Sequence, residues 1–187
     1  MKIAVTGHTR GIGAACTNLL KAHGHEVLGF SRSTGFDLTD FKSRTQLINI
    51  LVEQEFDCLI NNAYPYADRF GVNGFVQTEL LNRAWQAWQG NAGKCIITMG
   101  SQSADHVKSH FHPYSVHKKA IDDTARQLRL VDAHPHVVVI KPSWVDTPAV
   151  ASFDVIKLPT TRVAEIVLYV LTSPVRILDI TFEQPLL

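Results

Sequence analysis

Short apolar runs alternate with longer amphipathic stretches from one end of the chain to the other. The apolar runs are typical of buried strands, whereas in the longer stretches apolar side chains recur every three or four residues, as on one face of a helix. Lys2–Thr6 is the first predicted strand and Gly11–Ala22 the first predicted helix. The other predicted strands are Glu26–Phe30, 36–38, 56–61, 94–99, 136–141 and 175–182, and the other predicted helices are Phe41–Glu53, 74–89, 115–131 and 160–171.

This alternation predicts a parallel sheet, because each right-handed helical crossover returns the chain to the same end of the sheet. We therefore expect an α/β fold, a Rossmann-like doubly wound parallel sheet of about seven strands in the order 3-2-1-4-5-6-7, with helices on both faces. No linker or repeat divides the 187 residues, so we expect a single domain over 1–187. In such sheets ligands bind beyond the carboxyl ends of the strands.

The first of these strand ends carries glycines suited to a phosphate. The segment Thr6-Gly7-His8-Thr9-Arg10-Gly11-Ile12-Gly13 joins the first strand to the first helix. Its first glycine permits a sharp turn, its second lets a pyrophosphate approach the backbone, and its third lets helix and strand pack closely. The free N–H groups at the start of the helix then face the anion. The residues predicted to form this cradle are Gly7, Thr9, Arg10, Gly11, Ile12 and Gly13.

A tyrosine and a lysine four residues apart lie where the helix 115–131 begins. On a helix Tyr114 and Lys118 share one face. An ammonium about 4 Å from the phenol contributes roughly 4 kcal/mol at an effective dielectric of ~20, which is about three pKa units. We therefore expect Lys118 to lower the pKa of Tyr114 into the range of a general acid or base. Ser101, just past the strand 94–99, would converge with it on one carbonyl oxygen, and Ser103 offers an alternative hydroxyl.

Together these motifs resemble the short-chain dehydrogenase/reductase family, whose cofactor loop has the form TGxxxGxG and whose serine, tyrosine and lysine follow in this order and spacing. The resemblance implies that Tyr114 donates or accepts the proton and that Ser101 polarises the carbonyl. It implies that Lys118 lowers the tyrosine pKa and binds the nicotinamide ribose. A fourth member of the family's catalytic set is an asparagine before the long helix, for which Asn73 is the candidate and Asn82 the alternative.

The resemblance extends to two more strand ends near the adenosine. Asp37-Leu38-Thr39-Asp40 is similar to the family's acidic segment, whose first aspartate contacts the adenine amine. Alternatively, Asp37 caps the helix Phe41–Glu53, a role that Asp40 could equally take. Asn61-Asn62-Ala63 resembles the element that lets the ribose approach the backbone. The cofactor-binding residues implied here are Asp37, Leu38, Asn62 and Ala63.

The segment 141–148 resembles the family's element around the nicotinamide carboxamide. Ser143 replaces the usual glycine, and it would be strained if the backbone there required a positive φ. The cofactor-binding residues implied here are Pro142, Ser143, Val145 and Thr147, together with Tyr114 and Lys118.

Basic residues near the second strand favour NADP(H) over NAD(H). A fold that prefers NAD offers an acidic residue after that strand, but here Ser31 and Arg32 follow it. Arg10 adds a second cation at a helix N-terminus, where the dipole disfavours positive charge unless an anion lies nearby. These three side chains suit a 2′-phosphate, and family members with basic residues at these places generally prefer NADP. The alternative is that both arginines are solvated surface side chains.

Aromatic side chains are candidates for the substrate cleft. Tyr64 replaces a family glycine, and with Tyr66 it either forms a wall of the pocket or packs within its own loop. The stretch between Thr147 and the helix 160–171 is short, so we expect a shortened substrate lid. The residues predicted to line the substrate are Tyr64, Tyr66, Ser103, Trp144 and Phe153.

Composition narrows the possible functions. The chain has 45% hydrophobic and 19% charged residues and a net charge of +1, which is typical of a globular protein and gives no basic surface for nucleic acid. No apolar run could span a membrane and the chain opens on a motif, so we expect a cytoplasmic protein without a leader.

Cys16, Cys58 and Cys95 fall in apolar stretches and are expected to be reduced core residues. Four histidines between 106 and 117 lack acidic or cysteine partners, and we expect no metal.

The sequence thus predicts an NADP(H)-dependent oxidoreductase that interconverts a small carbonyl compound and its alcohol by hydride transfer. One alternative is a non-catalytic NADP(H)-binding sensor on the same fold. Another is a sugar-nucleotide epimerase or dehydratase, which shares YxxxK but has different glycine spacing and an extra substrate domain. The family typically pairs through its two long helices, so we expect a homodimer or homotetramer, with Trp85 and Trp88 in that interface or in the core.

Overall fold

Six parallel strands form one sheet in the computed structural model, which describes residues 1–66, 72–106 and 113–185. Their order across the sheet is β2-β1-β3-β4-β5-β6, and all neighbours run parallel. The predicted doubly wound α/β fold is therefore confirmed. In chain order the strands are β1 (Lys2–Thr6), β2 (Glu26–Phe30), β3 (Cys58–Asn61), β4 (Cys95–Met99), β5 (His136–Pro142) and β6 (Asp179–Phe182).

The predicted strand at 36–38 does not form, so the expectation of about seven strands was wrong. Asp37 Oδ1 accepts hydrogen bonds from the backbone N–H of Thr39 at 3.0 Å and from its hydroxyl at 2.8 Å. This local turn competes with pairing at the sheet edge, where a strand would have a neighbour on one side only. The apolar side chains of Phe36 and Leu38 pack against the core instead. The sheet therefore ends at β2.

Five α-helices in the described part of the chain cover the two faces of the sheet. Asp40 caps the second of them, because its carboxylate accepts from the backbone N–H of Ser43 at 2.9 Å. This assigns the cap to Asp40 and not to Asp37. The predicted helix 74–89 begins instead as a short 3-10 turn over Val72–Phe75. The helices are α1 (Gly11–Ala22), α2 (Phe41–Glu53), α3 (Val76–Trp88), α4 (Pro113–Val131) and α5 (Thr160–Thr172).

Each face of the sheet has its own apolar core, because successive strand residues point to opposite sides. One core joins the sheet to α1 and α5, and the other joins it to α2, α3 and α4. Trp85 and Trp88 are only 5% and 4% exposed within the second core, so they belong to the core and not to an interface. The carboxyl ends of the strands all lie along one edge, where the candidate site residues are found. No helix in the described ranges is both long and apolar enough to cross a membrane.

Candidate active site

The glycines after β1 form a backbone cradle. Gly7 and Gly11 have φ of +70° and +56°, a conformation that other residues rarely adopt. A Cβ on Gly13 would lie 2.2 Å from the carbonyl oxygen of Gly7, so only glycine lets α1 pack this closely on the loop. A Cβ on Gly11 would lie 3.2 Å from Cγ2 of Thr147. The fold thus brings the segment after β5 against the cradle.

The N-terminus of α1 is open to an anion. Arg10 is the N-cap residue, its side chain makes no capping hydrogen bond, and the first turn of the helix contains no acidic residue. The helix therefore presents its first N–H groups and the positive end of its dipole without an internal counter-charge. Together with the glycine cradle, these groups fit the pyrophosphate of a dinucleotide.

Thr6 ties the end of β3 to the cradle. Its hydroxyl accepts hydrogen bonds from the backbone N–H groups of Asn62 at 2.9 Å and Ala63 at 3.0 Å. The Asn62 side chain in turn donates to the Thr6 carbonyl at 3.0 Å. A Cβ on Gly7 would lie 3.1 Å from Cβ of Ala63, so a side chain at position 7 would press on Ala63. Asn62 and Ala63 are therefore bracing residues of the cradle.

The two arginines expected at the 2′-phosphate are exposed at the same sheet edge. Arg32 lies in a 3-10 turn, Arg32–Thr34, directly after β2, and Arg10 precedes α1. The hydrogen bonds from Thr39 hold the pKa of Asp37 below its usual value, and the charge of Arg32 adds to this effect. Asp37 is thus an ionised acceptor next to Arg32, at the position expected for the adenine.

Ser101 and Tyr114 meet beyond β4. Ser101 caps the turn that follows this strand, where its Oγ accepts from the backbone N–H of Ser103 at 3.1 Å. Its side chain also forms a hydrogen bond with the hydroxyl of Tyr114, at the start of α4. Of the two serines, Ser101 contacts the tyrosine, and Ser103 supports it through its backbone. Two adjacent hydroxyls of this kind can hold one substrate oxygen.

The pKa of Tyr114 is raised, which is opposite to the direction expected from the sequence. Burial of its hydroxyl is the main cause, and hydrogen bonds with Ser101 and Tyr66 only partly oppose it. Lys118 does not direct its ammonium at this hydroxyl. Its Nζ lies 5.4 Å from the centroid of the Tyr114 ring and donates to other acceptors. Desolvation therefore exceeds the attraction to Lys118 that the sequence argument relied on.

A buried glutamine holds Lys118 in place. Nζ of Lys118 donates to Oε1 of Gln77 and to the backbone carbonyl of Met99, both at 2.6 Å. Gln77 is fully buried in the first turn of α3. Its Nε2 donates to the backbone carbonyl of Asn61 at 3.0 Å, and its backbone carbonyl accepts from Nδ2 of Asn61 at 2.7 Å. Burial lowers the pKa of Lys118 to about 7, and the charge of Asp122 opposes this shift.

Gln77 was not predicted from the sequence, which pointed to an asparagine in this region. Asn82, the alternative for the fourth catalytic residue, is exposed on α3. Asn73 lies in the 3-10 turn before α3, one helical turn ahead of the glutamine. A polar residue four positions after Asn73 at the start of an amphipathic helix was the available signal.

Tyrosine rings surround Tyr114. Tyr64 packs edge-on against it at 5.1 Å between centroids, and Tyr66 stacks on it at 5.9 Å. The Tyr64 hydroxyl is hydrogen-bonded to Nδ1 of His117, on the next turn of α4, at 2.8 Å. Tyr64 and Tyr66 also contact each other, at 4.8 Å between ring centroids, so they pack within their own loop as well as beside Tyr114. These rings restrict how a substrate carbonyl could approach the tyrosine.

The segment after β5 is unstrained. Glu55 is the one non-glycine residue with positive φ in the described chain, so Ser143 does not need the conformation of glycine. Its N–H donates to the carbonyl of Phe182, the last residue of β6, at 3.0 Å. Trp144 and Phe153 contact each other at 5.0 Å and are 42% and 50% exposed, so they present an apolar surface.

The histidines show no metal-binding arrangement among the residues that the structure describes, where no group of three or more His, Cys, Asp or Glu side chains could hold an ion. His106 is exposed, and His117 is buried against Gly74 and Phe75. His110 and His112 lie outside the described residues.

Solved structures with bound NADH or NADP share this architecture. The 3-alpha-hydroxysteroid dehydrogenase from Pseudomonas sp. B-0831, complexed with NADH, has a TM-score of 0.81 at 19% identity, over 98% of this chain and 95% of that one. A short chain dehydrogenase from Burkholderia cenocepacia J2315, in complex with NADP, has a TM-score of 0.77 at 20% identity, over 96% and 87%. The 3-ketoacyl-(acyl-carrier-protein) reductase from Brucella melitensis, complexed with NADH, has a TM-score of 0.80 at 15% identity, over 97% and 96%.

No family model matches the chain, and no curated protein matches it. The likeness therefore rests on three-dimensional structure at low sequence identity. It extends over nearly the whole chain. The chain has the fold of the short-chain dehydrogenases and reductases.

Proposed function

We propose that the chain is an NADP(H)-dependent short-chain dehydrogenase/reductase that interconverts a small carbonyl compound and its alcohol. The observation that carries this function is the contact between Ser101 and Tyr114. It places two hydroxyls at the same edge of the sheet as a cradle suited to a dinucleotide. A sheet edge that offers both nucleotide binding and a proton donor has the parts that carbonyl reduction requires.

A nicotinamide held in the cradle would supply hydride chemistry, and the residues of the chain would supply the proton and hold the oxygen. In the direction of reduction, Tyr114 donates its hydroxyl proton to the carbonyl oxygen as negative charge develops there. Ser101 donates a hydrogen bond to the same oxygen and keeps the carbonyl in line with the tyrosine. The raised pKa of Tyr114 means that the hydroxyl still carries its proton at neutral pH, so the tyrosine is ready to act as an acid.

Lys118 provides a positive charge behind the tyrosine. With a pKa of about 7, it can gain or lose a proton close to neutral pH. Gln77 and Met99 position its ammonium through two short hydrogen bonds. The ammonium would bind the nicotinamide ribose and offset the negative charge that forms on Tyr114 as it loses its proton. Asn73, one turn before Gln77, is proposed to complete this proton path.

We assign the nucleotide to the line of strand ends from β2 to β5. The pyrophosphate would lie over the glycines and the N-terminus of α1, and the 2′-phosphate would lie between the two exposed arginines. The nicotinamide would lie near Thr147, whose methyl group is next to the cradle. The proposed contacts are Gly7, Thr9, Arg10, Gly11, Ile12, Gly13, Ser31, Arg32, Asp37, Leu38, Asn62, Ala63, Pro142, Ser143, Val145 and Thr147.

The substrate would enter between two aromatic surfaces, Tyr64 with Tyr66 and Trp144 with Phe153. The short stretch after Thr147 is held by an isolated bridge between Val145 and Leu158. It would act as a small lid over an open cleft. A shallow apolar cleft of this kind favours a small carbonyl compound with an apolar body.

Binding and turnover can be tested on the same protein. NADPH should bind, as followed by its fluorescence, and Tyr114→Phe should still bind it but reduce carbonyl substrates from a panel about 100-fold or more slowly. Tyr169→Phe is the matched control, because Tyr169 lies 56% exposed on α5 and should leave both properties unchanged. Equal turnover by Tyr114→Phe would refute the mechanism.

Cofactor preference is a separate measurement. NADPH should bind more tightly than NADH because Arg10 and Arg32 can both contact a 2′-phosphate. Tighter binding of NADH would overturn the roles of these arginines but leave the tyrosine mechanism standing. Failure of both nucleotides to bind would reject the proposed function as a whole.

A non-catalytic sensor is the second candidate, and the position of Tyr66 favours it. This ring stacks on Tyr114, and its hydroxyl is hydrogen-bonded to it. A substrate carbonyl would have to displace that contact. A sensor would bind NADPH with no turnover across the panel in the wild type and in Tyr66→Phe alike.

A further inference from the structure

A row of reactive side chains lies at the end of the sheet opposite the candidate active site. Cys58, Cys95 and His136 are the first residues of β3, β4 and β5. Cys58 is paired in register with Cys95, and Cys95 is paired in register with His136. Paired residues on neighbouring parallel strands point to the same face of a sheet. The three side chains therefore lie side by side, and the proposed reductase mechanism uses none of them.

Hydrogen bonds connect the three side chains. The thiol of Cys58 is hydrogen-bonded to the sulfur of Cys95, which is also hydrogen-bonded to the ring of His136. Nε2 of His136 lies 2.7 Å from the backbone carbonyl of Ile177. Because a carbonyl can only accept, Nε2 carries a proton, and Nδ1 is the nitrogen that faces Cys95. The imidazole is thus oriented to take the proton of this thiol.

A cleft leads from solvent to Cys95. Its volume is about 300 Å³, and Cys95, His134, His136, Val170 and Arg176 are among the residues that line it. Cys95 is 9% exposed, whereas Cys58 is fully buried behind it. A small reagent can therefore reach the sulfur of Cys95 first. Arg176 adds a positive charge to the lining of the cleft.

The three cysteines of the chain differ in pKa because their surroundings differ. The hydrogen bonds that Cys95 makes with Cys58 and His136 lower its pKa to about 6, although burial opposes the shift. The pKa of Cys58 is raised by its hydrogen bond to Cys95 and by burial. Burial raises the pKa of Cys16, on α1, to about 12. Cys95 alone has both the access and the partners of a reactive thiolate.

We propose that Cys95 is a site of oxidation by hydroperoxides and that Cys58 is its resolving thiol. The Cys95 thiolate attacks one oxygen of the hydroperoxide, the O–O bond breaks, and the sulfur is oxidised to a sulfenic acid. The alkoxide or hydroxide that leaves takes up the proton that the thiol gave to His136. The hydroperoxide is thereby reduced to an alcohol or to water.

The second step joins the two cysteines. The Cys58 sulfur attacks the Cys95 sulfur, an S–S bond forms, and the S–O bond breaks. The hydroxide that leaves combines with the Cys58 proton, so two thiols and one hydroperoxide yield one disulfide, one alcohol and one water. Neighbouring strands are ~4.8 Å apart, within the ~4.4–6.8 Å between Cα atoms that a disulfide requires. The sheet need not open for this bond to form.

The main experiment treats the reduced full-length chain with hydrogen peroxide, blocks the remaining thiols under denaturing conditions and maps the products by mass spectrometry. A disulfide between the peptides of Cys58 and Cys95 is expected, and Cys16 should remain free. Cys16→Ser is the matched control and should form the same disulfide at the same rate. Oxidation that affects Cys16 as fast as Cys95 would overturn the assignment.

Two further variants separate the roles. Cys58→Ser should stop the reaction at the sulfenic acid, which dimedone traps at Cys95. Absence of that adduct would refute the first step. His136→Asn should slow the oxidation about tenfold, with an unchanged circular dichroism spectrum.

Should His136→Asn fail to fold, the wild-type protein provides the same information. The rate of Cys95 alkylation by iodoacetamide should rise with a midpoint well below the ~8.5 of a free cysteine. A midpoint at or above that value would contradict the role of the imidazole. These measurements do not depend on nucleotide binding, so they stand or fall separately from the proposed reductase function.

Discussion

Lys118 of α4 is buried against α3 and β4, and it owes its position to acceptors from these two elements. Gln77 supplies a side-chain oxygen from α3, and Met99 supplies a backbone carbonyl at the end of β4. Removing one acceptor from a buried charge costs more than an ordinary hydrogen bond contributes. The amide of Gln77 is therefore a positioning group for Lys118, and through it for Tyr114.

Gln77→Leu should lower kcat about tenfold and shift the pH profile of reduction toward lower pH, because the lysine loses an acceptor that favours its charged form. Gln77→Glu should restore the acceptor and shift the profile back to higher pH. Gln86→Leu, at an exposed position of the same helix, is the control and should change neither. A loss of stability in Gln77→Leu with an unmoved pH profile would reduce Gln77 to a packing residue.

The low pKa of Lys118 also predicts how stability depends on pH. Between the folded value of about 7 and the ordinary value of 10.5, the unfolded lysine holds a proton that the folded one has lost. Stability should therefore rise with pH across this window. In urea unfolding from pH 7 to 9.5, the wild type should gain stability relative to Lys118→Met. Parallel curves for the two proteins would show that Lys118 keeps an ordinary pKa.

At the scale of elements, Lys141 links three parts of the site. It stands near the end of β5, and its Nζ lies 3.1 Å from a carboxylate oxygen of Asp105, in the turn after Ser101, and 3.4 Å from one of Asp122 on α4. Asp122 is only 2% exposed. The ion pair therefore holds the turn with the serine and the helix with the tyrosine to the same strand.

Lys141→Met should lower the free energy of unfolding by about 3–5 kcal/mol, because it leaves the Asp122 carboxylate buried without its cation. Lys119→Met breaks an exposed pair with Asp123 on the same helix and should cost less than about 1 kcal/mol. Urea titrations of the two variants provide the comparison. Equal losses would mean that burial of Asp122 does not set the strength of this pair.

At the scale of the whole molecule, the apolar residues available for association are limited. Trp85 and Trp88 are used in the core, so α3 offers less apolar surface than its sequence suggests. On α4, Val116, Leu130 and Val131 are 50%, 87% and 69% exposed. Exposed apolar residues of this kind are where a second copy of the chain would gain most from contact.

We expect light scattering to show a dimer or tetramer for the wild type and a smaller species for Leu130→Glu, because a charge would be buried in the contact. Val175→Glu, at a residue 62% exposed after α5, is the control and should leave the mass unchanged. A monomeric wild type would contradict this expectation directly.

Local patterns in the sequence determined many of the helices and strands and most of the candidate site residues. Periodicity predicted β1, β2, α1 and α2 with the bounds that the structure has, because apolar spacing reflects which face of an element is buried. The glycines after β1 were equally predictable, since positive φ and close packing leave few alternatives to glycine. Ser101, Tyr114 and Lys118 were identified by order and spacing, and the structure brings the first two into contact.

Only the tertiary structure decided the contacts between side chains that lie far apart in the sequence. Gln77 and Lys118 are 41 positions apart, and their contact exists only because α3 packs on α4. The direction of the Tyr114 pKa shift, and the alignment of Cys58, Cys95 and His136, likewise follow from burial and strand register. Local sequence specifies conformation through sterics and periodicity, but desolvation and side-chain pairing are properties of the assembled neighbourhood. For that reason the sequence alone determined the fold and the candidate residues, and only the three-dimensional packing decided their protonation and partners.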